Sequence, residues 1–301
     1  MYYDKIRHRN SQVLAATGLT PVEFDALLTT FKYHWDEYYS HFTLEGKVRQ
    51  RISYNRKTSV LPLIQDKLFF ILVYLKTNPL QELHAIQFEM TQPQANRWIH
   101  LLSDILRRTL KTLGELPDRN SKRLIHILQG CEEVLLDGTE RPIQRPLDED
   151  WQSACYSGKK THSIKNNLLC TNNLRIVWLS STYKGHVHDK KICDEEPLLL
   201  PKGIRLWQDT GFIGHKPDGV EICMPKKKPK GKELTCVEKQ ENKRISGVRI
   251  KVEHAIGGMK KCRIVKERFR CHKFGFEDMV ILIACGLHNF RISHKMSHIT
   301  N

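Results

Sequence analysis

Several absences narrow what this chain is. Its nine cysteines, at 131, 155, 170, 193, 223, 236, 262, 271 and 285, include no CxxC pair. An odd number without paired spacing is not a disulfide framework, and it fits a reducing compartment. Cys262, Cys271 and His272 come nearest to a zinc set, but their spacing is poor and a fourth ligand is missing. The longest apolar runs, LFFILVYL at 68–75 and MVILIACGL at 279–287, are too short to span a bilayer and read as core. The first residues, MYYDKIRHRN, lack the apolar core of a signal peptide. Acid is also scarce: 33 Asp and Glu against 49 Lys and Arg leave a net charge of +16. That balance favours a polyanionic partner, nucleic acid first, although charge alone leaves open a merely basic soluble protein.

Three of the scarce acids have sharply defined settings. Asp137 follows an apolar run in LLDGTE, Asp209 follows another in LWQDTGFIG, and Glu253 lies in RIKVEHAIGGMK, a stretch of helical periodicity. Two aspartates at strand ends and a later helical glutamate can hold two divalent metals, which in a basic chain points to phosphodiester chemistry. Taken alone, Asp137 reads more readily as a turn or surface acid. Separations of 72 and 44 residues suit groups that meet only in the fold.

The N-terminal part reads as helical. Thr20-Pro21-x-Glu23 has the form of a capped helix start, with Phe24, Leu27, Leu28 and Phe31 giving one apolar face. Residues 40–58, with Lys47, Arg49, Arg51, Arg56 and Lys57, read as a loop, either a solvated linker or a contact to a nucleic-acid backbone. A buried helix is predicted over 63–75, a break at Asn78-Pro79, a short helix to about 87 and a tight connection at 88–90. Thr91 and Pro93 then start a longer helix with Ala95, Trp98, Ile99, Leu102, Ile105 and Leu106 inward. The pair is either a helix-turn-helix or an ordinary helical hairpin. As a helix-turn-helix it places Gln92, Gln94, Asn96 and Arg97 on the early turns that read a major groove. Arg107, Arg108 and Lys111 extend the basic surface, and residues 114–120 read as a linker.

Beyond it a mixed α/β pattern follows. A strand is predicted over 133–136, ending at Asp137, with a second near Ile143. Two more are predicted over 162–170 and 174–180, joined by a hairpin turn at Asn172-Asn173. A helix from Asp189 to about 201 and a strand over 204–208 come next, then a helix over 244–261 carrying Glu253. This order suits a ribonuclease-H-like core with a mixed sheet, in which Asp137 and Asp209 lie on adjacent strands. The domains are therefore 1–120, helical, with the helix-turn-helix at about 79–108, and 121–301, catalytic. KKKPKGK at 226–232 holds five lysines and reads as a loop. It suits DNA backbone contact, a nuclear import patch or a plain solvated surface. Arg249, four residues before Glu253, either orients that carboxylate or forms a merely stabilising helical pair. Gly257-Gly258 suggests close packing, a kink or passage of DNA.

Several stretches together resemble one family. They are NPLQELHAIQFEMTQPQANRWI (78–99), VLLDGTERPIQRP (134–146), YSGKKTHSIKN (156–166), GHVHDKKI (185–192), DTGFIG (209–214), SGVRIKVEHAIGGMK (246–260) and GLHNFR (286–291). The chain resembles IS5-like transposases, within the DDE superfamily endonucleases that carry an N-terminal helix-turn-helix. The resemblance implies a catalytic and metal-binding triad of Asp137, Asp209 and Glu253 on a ribonuclease-H-like fold, with two Mg²⁺ ions per site and Mn²⁺ as substitute. It implies cut-and-paste movement of an insertion element, with double-stranded DNA, terminal inverted repeats and target DNA as partners.

Other residues take roles around that triad. Lys159, Lys160, His162 and Lys165 match a basic stretch near the site, while His188 and Asp189 match a strand-following motif that is a support either of the metal site or of the active-site loop. Lys226, Lys227, Lys228 and Lys260 add phosphate contacts, and Lys260 lies two turns beyond Glu253. Handling two element ends calls for a homodimer or larger assembly. The expected location is the cytoplasm and nucleoid of a bacterial host, or the nucleus of a eukaryotic one, with no membrane association. Two other readings stay open: a transposase-derived DNA-binding protein without catalysis, and a nuclease that never joins strands.

Overall fold

The computed structural model describes residues 1–51, 59–158, 161–231 and 233–297. Arg56, Lys57 and Lys232, part of the basic stretches above, lie outside the described residues. The chain divides into two units. The first comprises residues 1–116, 260–267 and 279–301, and the second 117–259 and 268–278. The sequence-based division at 120/121 therefore differs from these units in two places: residues 260–267 and the described part of 279–301 group with the N-terminal helices. GLHNFR shows how. A Cβ on Gly286 would lie 2.7 Å from Leu116 Cδ2 and 3.0 Å from Leu110 Cδ1, and buried Asn289 donates from Nδ2 to the Glu115 carbonyl at 2.8 Å. These partners are distant in sequence, so no local pattern announces them.

The helices of the first unit are α1 (Asn10–Thr17), α2 (Pro21–His41), α3 (Ile64–Thr77), α4 (Gln81–Gln87) and α5 (Gln92–Thr112). Their ends follow local chemistry. At α2 the Thr20 N–H donates to Glu23 Oε2 at 2.7 Å and the Glu23 N–H to Thr20 Oγ1 at 3.3 Å, a reciprocal cap. Phe24, Leu27, Phe31 and Trp35 are buried along one face of that helix. α3 is buried on every side from Asp66 to Leu75, as expected for a helix apolar all round. It stops at Asn78, whose left-handed backbone (φ 47°) is one that asparagine tolerates. Glu89, at φ 57°, turns the chain from α4 into α5. All six predicted inward residues of α5 are buried, and α4 packs against α5.

The second unit holds α6 (Leu124–Ile127), β1 (Glu133–Pro142), α7 (Glu149–Cys155), β2 (Ser163–Thr171), β3 (Ile176–Leu179), β4 (Tyr183–Lys184), α8 (Asp189–Glu195), β5 (Arg205–Trp207), β6 (Glu221–Cys223) and α9 (Cys236–Met259). A last helix, α10 (Phe276–Ser297), begins in this unit and contributes most of its length to the first. The sheet runs β3-β2-β1-β5-β6, with β4 on β2. β1, β2 and β3 are antiparallel, while β5 and β6 continue parallel to β1. The result is a mixed sheet in a mixed α/β unit. Leu124, Val134, Leu136, Leu169, Trp178, Leu206 and Phe212 form part of its buried core.

Four expectations are corrected here. β1 does not end at Asp137. Pairing with β2 carries it on to Pro142, opposite Ser163, so Asp137 lies mid-strand. No separate strand forms at Ile143, which makes only an isolated bridge to Phe269. α8 stops at Glu195 rather than near 201, because Pro197 disfavours helical backbone at Glu196. α9 starts at Cys236 rather than 244. Its polar first turns are secured by Thr235 and Glu238, whose N–H groups and side chains bond each other at 2.8 and 3.2 Å. All nine cysteines are free thiols, and among the described residues no helix is long and apolar enough to cross a membrane.

Candidate active site

The parallel pairing of β1 with β5 sets Leu135 opposite Trp207. Asp137 and Asp209 each stand two residues further along, so the register brings them to the same level of adjacent chain segments. β5 has ended there, which leaves an opening beside β1. α9 packs on both strands and sends Arg249 into that opening. The guanidinium lies 3.7 Å from Asp137 Oδ2 through one nitrogen and 3.4 Å from Asp209 Oδ1 through the other. Arg249 is 13% exposed, Asp137 20% and Asp209 46%. The Gly138 N–H also donates to Asp137 Oδ1 at 2.8 Å.

Burial pushes the Asp137 carboxyl up to about 6. The Arg249 charge and the Gly138 N–H oppose that rise, whereas the negative charges of Asp209 and Asp189 add to it. A half-closed, oxygen-only site with a partly buried carboxylate therefore has a positive group resting between its acids. Hard oxygen donors of this kind fit Mg²⁺ or Mn²⁺ and not a thiolate-seeking metal.

Asp189 belongs to this neighbourhood. A Cβ on Gly138 would lie 3.0–3.2 Å from the Asp189 carboxylate, and one on Gly211 would lie 3.6 Å from its Oδ2. The Asp189 carboxylate thus sits against the residues that follow Asp137 and Asp209. Lys165 Nζ approaches its Oδ1 at 3.5 Å, and Asn167 Nδ2 donates to its backbone carbonyl at 2.8 Å. Gly138 and Asn167 escaped the sequence reading. Asn167 has no pattern to give it away, whereas a glycine inside LLDGTE hints at close approach.

Glu253 does not join the pair. It is exposed on α9, and the expected Arg249–Glu253 contact is replaced by the two longer-range pairs above. Helical spacing offers Glu253 as a partner, but the carboxylates on β1 and just past β5 together offer more charge. Among the described residues no group of three or more His, Cys, Asp or Glu is close enough to hold a metal ion.

Among the supporting histidines, His188 is exposed at the start of α8 and makes no capping bond with its side chain. His162 stacks edge-on with Tyr156, ring centres 5.9 Å apart, and its carbonyl accepts from the Ile143 N–H. Ile143 is six residues past Asp137, or about 20 Å along an extended chain. The Gly257 position has open space around a Cβ, so close packing does not explain that glycine. Lys260 follows α9 and falls in the first unit.

The basic residues are placed as follows. Lys226 pairs with Glu238 at 2.5 Å, Lys228 pairs with Glu233, and Lys227 is exposed. Lys159 and Lys160 lie outside the described residues. In the helix-turn-helix, Gln92 and Asn96 both donate to Gln81 Oε1, at 2.7 and 3.0 Å. Gln94 Oε1 caps α5 by accepting from the Thr91 N–H at 2.9 Å. Arg97 reaches Glu45 at 3.5 Å, with both side chains about half exposed. Arg107 and Arg108 share Asp104, which reduces their net positive surface.

Comparison with known proteins matches the same two regions. Residues 136–289 match the DDE superfamily endonuclease family, and residues 60–112 match the helix-turn-helix of DDE superfamily endonuclease. A probable transposase for insertion sequence element IS702 from Microchaete diplosiphon is 25% identical over 236 residues, covering 77% of this chain and 82% of the relative. No solved structure matches the chain significantly. The endonuclease match spans half of the chain, from the core of β1 to the buried asparagine of α10, and the chain belongs to the DDE superfamily endonucleases.

Proposed function

We propose that this protein is a DNA transposase of the IS5-like group. In this reading it cuts the ends of an insertion element and joins the freed 3′-hydroxyls to target DNA at a site built on Asp137, Asp209 and Glu253. The observation that carries the reading is the convergence of two register-matched, partly buried aspartates on a single cationic group in a chain of net charge +16. The probable transposase named above supports the same reaction class. The sheet order, with one acid on β1, the other just past the end of parallel β5, and a helix packed over both strands, supports a ribonuclease-H-like fold.

Asp137 and Asp209 would hold divalent cations, with Glu253 completing the set from α9. Bound there, Mg²⁺ or Mn²⁺ would lower the pKa of a water and stabilise the departing 3′-oxygen. The chain's own contribution is positional. The β1–β5 register fixes the spacing of the two carboxylates, the Gly138 N–H orients one Asp137 oxygen, and Lys165 restrains Asp189 beside them. α5 of the helix-turn-helix would read the terminal repeats, with Arg97 and neighbouring lysines holding phosphates. Gln92 and Asn96 would have to release Gln81 before they contact bases. A homodimer or larger assembly would bring two ends together.

The test uses a labelled duplex carrying the element's own end, in Mg²⁺ or Mn²⁺. Metal-dependent cleavage and joining are expected, lost in Asp137→Asn, Asp209→Asn and Glu253→Gln while duplex binding persists. A second reading, DNA binding without catalysis, draws on one observation: Glu253 is exposed and outside the acidic pair. Binding without cleavage by assembled wild-type protein would favour it. Cleavage without joining would instead indicate a nuclease.

A further inference from the structure

Arg249 is bound in an unusual way. It engages two carboxylates with one nitrogen each, at 3.4 and 3.7 Å. Strong guanidinium–carboxylate pairs are bidentate and close at about 2.7–2.9 Å. Its Nε is buried and finds no hydrogen-bond partner among the described residues. A buried donor without a partner costs free energy, and the hydrogen bond that Nη1 donates to Asp209 Oδ1 is long at 3.4 Å, so this guanidinium is held mainly by the charge of the pair. It also lies between the very groups that would hold a metal.

The helix adds a second constraint. Arg249 and Glu253 are four residues apart on α9, hence neighbours on one face. While the guanidinium fills the opening between the aspartates, the acid one turn along the same face remains exposed to solvent. The exposed glutamate and the occupied opening are thus two sides of one arrangement.

We propose that Arg249 is a resident counter-ion of the acidic pair, competing with divalent cations for the space between Asp137 and Asp209. The inference rests on the metal-site reading above. Placed between the carboxylates, the guanidinium keeps two like charges together and stands where an ion would load. Binding of a divalent ion requires it to swing out, and its departure opens the same helix face to Glu253. The loose contacts make that exchange inexpensive, since no fitted bidentate bond has to break. Lys165 is not a second plug, because it is engaged with Asp189.

The experiment is a Mn²⁺ titration of the DNA-free protein, read by electron paramagnetic resonance of the free ion. It compares wild type, Arg249→Gln and Arg249→Lys. A mobile positive charge removed from the pair is expected to tighten Mn²⁺ binding roughly tenfold in Arg249→Gln. Arg249→Lys, a single point charge unable to bridge both acids, is expected to fall between the two. It also keeps the test informative should the glutamine variant fold poorly.

Affinity unchanged or weakened in both variants would overturn the proposal and make Arg249 a support of the site. Absence of Mn²⁺ binding in all three proteins would overturn it too, because releasing the plug would have opened nothing. That last result, together with no metal-dependent cleavage of the duplex, would also remove the metal-site reading. Ordinary cleavage with unchanged affinity in the variants would remove the counter-ion role alone.

Discussion

At the scale of single residues, the family motifs are explained by close approaches as much as by chemistry. GHVHDKKI opens with Gly185, where a Cβ would lie 2.7 Å from the backbone carbonyls of both Cys155 and Ser163. Backbone cannot step aside as a side-chain tip can. Gly185→Ala should therefore destabilise the protein by about 2–3 kcal/mol, within the range for overpacking, as a lowered urea midpoint. A midpoint unchanged from wild type would mean that β4 and α7 separate freely. Gly138→Ala is a milder case, since a methyl there meets the Asp189 carboxylate at 3.0 Å. It should leave the fold intact, displace Asp189 and reduce strand cleavage. Undiminished cleavage in Gly138→Ala would show that Asp189 is not needed beside the pair. Neither role was legible beforehand, because a sequence shows a glycine but not what it must avoid touching. Arg249 gives the same lesson. Spacing offered Glu253, whereas the fold supplied two acids 112 and 40 residues away.

At the scale of elements, what the sequence revealed was local. The starts of α2 and α5, the stop at Asn78 and the inward face of α5 depend on residues within a turn of one another, and each lies where the pattern placed it. What depended on pairing was hidden. β1 runs past Asp137 only because β2 lies beside it, and β4 and β6 are too short to show a period of their own. The polar start of α9 has a cap but no apolar stripe, so it resembled loop.

The helix-turn-helix carries a pH prediction. His84 of α4 is fully buried against the rings of Phe70, Tyr74 and Phe88, and burial lowers it to about 4 from an ordinary 6.5. A folded value below the unfolded one means stability that is complete above about 6.5 and lost as the pH falls through about 4. The loss should be on the order of 3 kcal/mol. His84→Leu should lack this contribution, so its melting temperature should fall less between pH 6.5 and 4. Parallel profiles would contradict the assignment. A second prediction concerns DNA. If Arg97 holds phosphate as proposed, Glu45 competes for it, so Glu45→Ala should tighten duplex binding a few-fold at low salt and Arg97→Ala should weaken it. Both effects should shrink as salt screens the charges, as followed by fluorescence anisotropy. Affinities that ignore both substitutions would place the DNA elsewhere.

At the scale of the whole molecule, composition pointed to a polyanionic partner and topology brought the candidate acids together. A basic chain short of acid keeps three carboxylates, Asp137, Asp209 and Asp189, in one small neighbourhood of the second unit, where burial makes at least one of them costly to charge. Such an arrangement is a poor way to build stability, and it is where the proposed metal site would stand. The division into two units was only half legible. The break near 116 follows a visible linker, but the assignment of residues 279–301 to the first unit rests on contacts such as Gly286 with Leu110 and Leu116.

The central claim is that the pair of aspartates, with Glu253, cuts and joins DNA. It is tested most directly by incubating the element's labelled end with wild type and the Asp137→Asn, Asp209→Asn and Glu253→Gln variants in Mn²⁺, followed by resolution of cut and joined strands. The account predicts cleavage and joining by wild type alone, with all four proteins binding the duplex. Retention of full cleavage in any one of the three variants would contradict it.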